Sequence, residues 1–478
     1  MTVLDRYLDA PPERHARWLL TGGALLTALL AGLGAWLHPA LGLVLLIGAV
    51  AGLAILRSVD LAFLGVVAVV TLLPFAAIPL GVGYNPTFLD LTLGALYLIW
   101  AVRLATREQD TLRWPPLAAG LALLVGWMFV SFLAGLGQGM PSRNQIRVFG
   151  ELILGAGLFL IVANLIFDRA SLRKVILALV GLGAVAAAIG LALYALPDAL
   201  EMRVLSMLRV VDYPTGPGVI RYINDDPARL QRATGTSIDP NSFGGLLAVM
   251  AALLAPQIVS RNPIVPRKLA LGLASLLAAA ILLTVSRGSM LGLAAGLGVV
   301  GLARDRRLLL ITAVTGLLFL IVAGFLPWTA AYVANFTDGL RLQDRSTVMR
   351  LGEYKDALIL IRRYPLFGVG FGGVRDVDIY RGVSSLYLII AESMGLIGLS
   401  LFVGVILAAV GRWIHAWRRM PADGMRAVVL GCVAAVTAAM VSGVFDHYFF
   451  TYPHAFALLW LIVGLGMGAV RLAGETTP

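Results

Sequence analysis

Apolar residues fill this chain in long unbroken runs, separated by short polar, charged or glycine-rich breaks. The runs near 17–36, 40–56, 59–82, 88–104, 117–135, 149–167, 172–196, 242–259, 268–285, 288–303, 308–326, 384–410, 426–447 and 452–471 approach the ~20 residues that a helix needs to cross a hydrocarbon core. Lipid offers no partner to backbone N–H and C=O groups, so such runs must be helices; a barrel would alternate polar and apolar positions. The pattern predicts an all-α polytopic membrane protein with about fourteen transmembrane helices. The first run counts as a genuine span, because a second apolar run follows it at once. A cleaved signal peptide would have a shorter core and a soluble continuation.

Composition agrees with the pattern. Of 478 residues, 59% are hydrophobic and only 13% charged, where soluble domains carry about 25% charged residues. The formal net charge is +11, and topology accounts for it. With a cytoplasmic N-terminus, Arg and Lys gather in the connections 103–116, 168–174, 260–268, 304–307 and 412–426, whereas 37–39, 83–87 and 448–451 contain none. This is the asymmetry of the positive-inside rule, and it calls for no nucleic acid. Both termini are then expected in the cytoplasm. The segment 136–148, the turn at Arg287 and the long loops 197–241 and 327–383 fall on the outer face. The chain divides into N-terminal helices (1–196), a first long periplasmic loop (197–241), central helices (242–326), a second long periplasmic loop (327–383) and C-terminal helices (384–478). The single cysteine, Cys432, lies inside a span, so no disulfide is expected, and no Cys/His spacing suggests a metal.

The chemistry-bearing residues sit on the outer side. In 283-LTVSRGSMLGL-293, Arg287 stands between two apolar runs. An arginine at the bilayer centre costs ~2.5–3.5 kcal/mol on insertion scales and less at the interface. Arg287 is therefore either a snorkelling side chain that marks a hairpin turn or a ligand for an anion. Arg232, Asp239 and Asn241 crowd together where the helix near 242 begins. Pro240 fixes φ there, Asn or Ser serves as cap, and a helix N-terminus favours anions; the plainer reading is a capped helix under a solvated loop. In 346–363, Leu351, Tyr354, Leu358 and Ile361 recur at helical spacing, with Arg350, Glu353 and Asp356 on the other side. That is an amphipathic helix, lying along the outer surface or capping a cavity. The glycines of 368-GVGFGG-373 follow no strand and open no helix, so they make no nucleotide site. Glu392, inside a span, is either a functional carboxylate or a partner that holds helices together. His447, beside Asp446 at the outer end of its span, is either an interfacial histidine or an acid–base group.

The motifs 232-RATGTSIDPNSF-243, 284-TVSRGSMLG-292, 350-RLGEY-354 with 365-PLFGVGFG-372, and 386-LYLIIAESMGLIGL-399 together resemble the O-antigen ligase and polysaccharide polymerase family. The likeness covers roughly residues 230–405. It implies a GT-C-like, metal-independent inverting glycosyltransferase of the bacterial inner membrane that uses no cofactor. The donor it implies is a polyprenyl-diphosphate-linked oligosaccharide, and the acceptor is a glycan (polymerase) or lipid A-core (ligase). By motif, Arg232, Arg287 and Arg350 would hold the diphosphate, with Asn241 and Tyr387 as further substrate-binding positions. The family's ligases open the Leu-Tyr-Leu span with a His-Asn pair, where this chain has Ser384-Ser385. A hydroxyl of ordinary pKa is no general base, so the base is sought among Glu392, His447 and Asp239. This departure tilts the reading toward a polymerase. The competing class is a lipid-linked oligosaccharide flippase. Transporters of this size usually show two related halves, but residues 17–167 here have no counterpart to the two long loops.

Overall fold

The computed structural model describes residues 58–79, 85–106, 112–304, 345–372, 382–421 and 424–474, with Gly32, Gly52, Arg306 and Thr337 as isolated positions. The expected spans 17–36, 40–56 and 308–326 lie outside these residues. The described helices are α1 (Val59–Leu72), α2 (Phe88–Ala105), α3 (Ala118–Gly135), α4 (Arg143–Leu165), α5 (Arg169–Tyr194), α6 (Asp198–Met207), α7 (Pro240–Val259), α8 (Arg267–Leu283), α9 (Arg287–Ala303), α10 (Arg345–Arg363), α11 (Leu386–Arg419), α12 (Gly424–Phe445), α13 (Tyr448–Thr451) and α14 (Pro453–Gly474). Among the described residues the strands are β1 (Arg221–Tyr222) and β2 (Gln231–Arg232), an antiparallel pair with Arg221 opposite Arg232. Eight described helices, α2–α5, α7, α11, α12 and α14, are long and apolar enough to cross a membrane.

Local chemistry moves several boundaries from their expected places. α4 begins at Arg143 rather than near 149, because Ser142 and Gln145 form a capping box that satisfies two orphan N–H groups. At α5, the Asp168 carboxylate accepts from the Ser171 backbone N–H and starts the helix at Arg169. α1 stops at Leu72, well short of 82, ahead of Pro74. α11 continues to Arg419 rather than 410, with Arg418 and Arg419 in its last turn, where the dipole favours cations, and Pro421 follows.

α7 and α14 are buried on nearly every face and form the centre of the bundle. α9 packs on α12 through Gly288, Gly292 and Gly296. A Cβ on Gly292 would strike Ser442 Oγ and Ala438 O, and one on Gly296 would meet Ala252 Cβ at 2.8 Å and Ala434 O at 2.9 Å. Lipid supplies no hydrophobic drive for helices to associate, so backbones this close depend on small residues.

The connections separate cleanly by end. At one end, Arg471 donates to the carbonyls of Ala163 (2.9 Å) and Ile166, Arg169 to Leu472 O (3.3 Å) and Arg267 to Ser260 O (3.0 Å), while Lys174 pairs with Asp60. The three arginines bond carbonyls at helix C-termini, where the dipole favours cations. The opposite end carries the 197–241 segment, the α8–α9 turn, α10 and α13.

α11 is broken inside its apolar stretch. Gly395 has φ +68°, and the strap 365–370 inserts its backbone beside the break. Val369 N–H donates to Glu392 O (2.8 Å), Gly370 N–H to Ser393 O (3.0 Å) and Trp127 Nε1–H to Met394 O (2.9 Å), while Pro365 O accepts from Leu396 N–H (2.8 Å). An interrupted helix in lipid is tolerated when protein re-satisfies its freed carbonyls. The glycine motif thus fastens α10 to α11.

Candidate functional site

At the end opposite the basic carbonyl clamps, a cavity of about 270 Å³ opens between β1–β2, the starts of α7 and α9, α10 and the residues ahead of α11. Arg232, Arg287, Arg350, Asn241, Glu353 and Ser384 are among its lining residues. The N-termini of α7, α9 and α11 converge here, each bringing the partial positive charge of unsatisfied N–H groups.

Each arginine arrives by a different local device. The strand that carries Arg232 is sewn to the end of α8 by the bond from Ala233 N–H to Leu283 O (2.8 Å). The guanidinium then donates from Nε to Thr284 O (2.8 Å) and from Nη2 to Asn241 Oδ1 (2.6 Å). Burial pushes its pKa down to about 10, against the Asp239 and Asp446 carboxylates, which favour the cation; the group stays charged at neutral pH. Arg287 occupies the first position of α9, after Ser286, whose hydroxyl caps the Ser289 N–H. A cation at a helix N-terminus adds to the positive end of the dipole. Arg350 and Glu353 lie one turn apart on α10 and face the same cavity.

Backbone strain collects at the starts of α7 and α9. Val285, ahead of the Ser286 cap, has φ +52°, and Ile238, ahead of the Asp239 cap, has φ +61°. Left-handed conformations are costly for β-branched residues, about 1–3 kcal/mol each. At Val285 the strain allows α8 to reverse into α9 within Thr284–Ser286.

Of the other residues singled out in the sequence, Asn241 lines this cavity and the rest are not among its lining residues. Glu392 lines a separate cavity of about 280 Å³ with Gln145, Phe371, Phe450 and Thr451. The His447 ring nitrogen Nδ1 shares a 2.6 Å hydrogen bond with Thr451 Oγ1. Tyr387 donates its hydroxyl to Met440 O (2.9 Å) in the α11–α12 contact. Asp239, rather than Asn241 or Ser242, is the cap of α7, and its carboxylate accepts from Ser242 N–H (2.7 Å). Pro240 follows at the first helical position, where its missing N–H costs nothing. Asn241 is occupied with Arg232.

Sequence reasoning missed Glu353, Ser384 and Tyr222 as lining residues. Glu353 carried a usable signal, its spacing of three from Arg350 on the polar side of a helix expected along the surface or over a cavity. The expected stripe on α10 also divides: Leu351 and Leu358 are exposed, whereas Asp356, Ala357 and Ile361 are buried. The arginine and glutamate turn inward because the cavity, not solvent, supplies their polar surroundings. Among the described residues, no group of three or more His, Cys, Asp or Glu side chains is placed to hold a metal ion.

A search of solved structures finds a chain of the work described as "Structural coordination of polymerization and crosslinking by a peptidoglycan synthase complex". It is 18% identical, with a TM-score of 0.41 over 75% of this chain and 98% of that one. No curated protein matches in sequence. Residues 269–403 match the family model described as O-antigen ligase, a stretch that holds α8, α9, α10 and the first half of α11, with Arg287, Arg350, Glu353 and Ser384. Over that segment the chain is similar to the O-antigen ligase family.

Proposed function

We propose that this protein is a glycosyltransferase of the bacterial inner membrane. It transfers a glycan from a polyprenyl diphosphate carrier onto an acceptor glycan, in the manner of an O-antigen or exopolysaccharide polymerase. The observation that carries the reading is the meeting of Arg232, Arg287 and Arg350 at one cavity with three helix N-termini. A leaving diphosphate gains negative charge as the glycosidic bond breaks. Guanidinium groups stay protonated and match phosphate oxygens in a planar fork. Fixed cations aimed at developing charge are worth most where water is excluded. The cavity, about 270 Å³, lies just under the roughly 300–1,000 Å³ of small-molecule pockets. It suits a diphosphate and the adjoining sugar, with the rest of the glycan outside.

On this reading the arginine end faces the periplasm and the end with the carbonyl clamps faces the cytoplasm, as the positive-inside rule has it. The chain keeps both termini inside, its full set of about fourteen spans and a GT-C-like architecture. The segments 197–241 and 327–383 frame the site from outside. A ligase that delivers the glycan to lipid A-core is the second reading, favoured by the description of the matched family. Against it stands Ser384-Ser385 at the start of α11, which provides no base.

Reconstitution in liposomes tests the reading. Given a lipid-linked oligosaccharide alone, the protein should lengthen the glycan and release carrier diphosphate in equal amount. Extension only when lipid A-core is supplied would identify the ligase. Carrier crossing the bilayer without a new glycosidic bond would identify a flippase and end the proposal.

A further inference from the structure

The reaction needs a group to take the proton from the attacking hydroxyl, and the carboxylates and histidine singled out in the sequence are poorly placed for it. Glu392 lines a different cavity, His447 is not among the residues lining the arginine cavity, and Asp239 caps α7. A general base must come within hydrogen-bond reach of the proton it removes. The carboxylates lining the arginine cavity are Asp225 and Glu353. Asp225 is largely exposed, its side chain 75% accessible, and lies 3.5 Å from Arg221. Glu353 is half-buried, on the same side of α10 as Arg350.

We infer that Glu353 is the general base of the transfer, an assignment that rests on the glycosyl-transfer reading above. Three contacts hold it in place. Its Oε2 accepts the Ser384 backbone N–H at 2.9 Å, ahead of the α11 N-terminus. The next residue, Tyr354, donates its hydroxyl to Ser384 O (3.0 Å) and Val444 O (3.2 Å), locking that turn of α10 against α11 and α12. The 365–370 strap fixes the far end of α10 at the α11 break. Among the described residues Oε1 makes no hydrogen bond, so it can receive a proton from an acceptor hydroxyl within the cavity.

The step balances. The acceptor hydroxyl gives its proton to Glu353, and its oxygen forms the new bond to the anomeric carbon. The bond from that carbon to the diphosphate oxygen breaks, and its electron pair leaves with the diphosphate, facing Arg232, Arg287 and Arg350. Proton release from Glu353 to water resets the site. Ser384 thus contributes through its backbone, orienting the carboxylate, where the ligases of the resembled family present a side chain.

Glu353→Gln tests the assignment, because glutamine keeps an oxygen for the Ser384 N–H while removing the basic one. In liposomes with lipid-linked oligosaccharide, kcat should fall by about 10²–10⁴-fold. Binding of polyprenyl diphosphate and the unfolding temperature should stay at wild-type values. A Glu353→Gln variant within threefold of wild type, or one whose rate loss tracks lost donor binding or lost thermal stability, overturns the assignment and leaves the glycosyl-transfer reading standing. Wild-type protein that forms no glycosidic bond sinks both.

Discussion

Arg232 and Asn241 are joined by a 2.6 Å hydrogen bond from guanidinium Nη2 to amide Oδ1, across the gap between β2 and the first turn of α7. The bond decides where the cation sits. With Nε held by Thr284 O, the guanidinium plane is set by two helix termini, those of α7 and α8, before any ligand arrives. Preorganisation of this kind removes side-chain ordering from the cost of binding.

Asn241→Ala should therefore weaken polyprenyl diphosphate binding without moving the fold. A hydrogen bond to a charged group contributes about 1.5–3 kcal/mol, so the loss should be about tenfold or somewhat more. Equilibrium binding in detergent or nanodiscs, paired with a thermal melt, separates this from general destabilisation.

Arg287→Ala should lower kcat/KM by about 10²–10³-fold, the scale of removing one donor from a charge-stabilising site. Arg287→Lys should recover only part of it, since an ammonium lacks the bidentate fork. Arg287→Lys keeps the cation and should keep the unfolding temperature, which separates loss of catalysis from loss of fold. A melt and a steady-state assay on the same preparation check both statements.

The pH dependence has a definite sign. The Arg232 pKa is pushed down to about 10 by burial. Its charge is complete at neutral pH and is lost as pH rises through that value. Diphosphate binding should be flat from about pH 6.5 to 8.5 and decline toward pH 10, well before an arginine of ordinary pKa, about 12.5 or higher, would lose its charge. Asn241→Ala leaves this decline in place, whereas Arg232→Ala removes it along with much of the affinity.

Gly370→Ala tests the strap. Gly370 has φ +80°, and a Cβ there would lie 2.6 Å from Gly135 Cα and 2.9 Å from Ser131 O. Backbone cannot yield as a flexible side chain does, so the variant should lose about 1–3 kcal/mol of stability, the usual cost of overpacking. Activity should fall with it, because α10 carries Arg350 and Glu353. Thermal unfolding and turnover would report the two effects together.

The spans in the described residues were legible because apolar runs of bilayer length admit few alternatives, and caps or prolines then shift their ends by several residues. Arg287 was legible because a lone cation between apolar runs has to be explained. Arg232, Asn241 and Arg350 came with it through the resemblance, and the four line one cavity. What stayed hidden depends on packing. Nothing in 386–399 announces that α11 breaks at Gly395, since the break exists only against the 365–370 backbone. Nor do Val285 and Ile238 advertise left-handed φ; their sequence preference is the opposite. Glu353 looked like one more polar residue on an amphipathic helix, because helical periodicity gives a residue's face and not what that face meets. Asp239 looked like chemistry, whereas its geometry is that of a cap.

Direct titration of polyprenyl diphosphate, carrying no glycan, into wild-type protein and Arg287→Ala tests the claim on which the rest depends. The account predicts saturable binding to wild type that weakens as salt rises, and affinity at least tenfold lower in the variant at equal thermal stability. Equal affinity in the two proteins would contradict it.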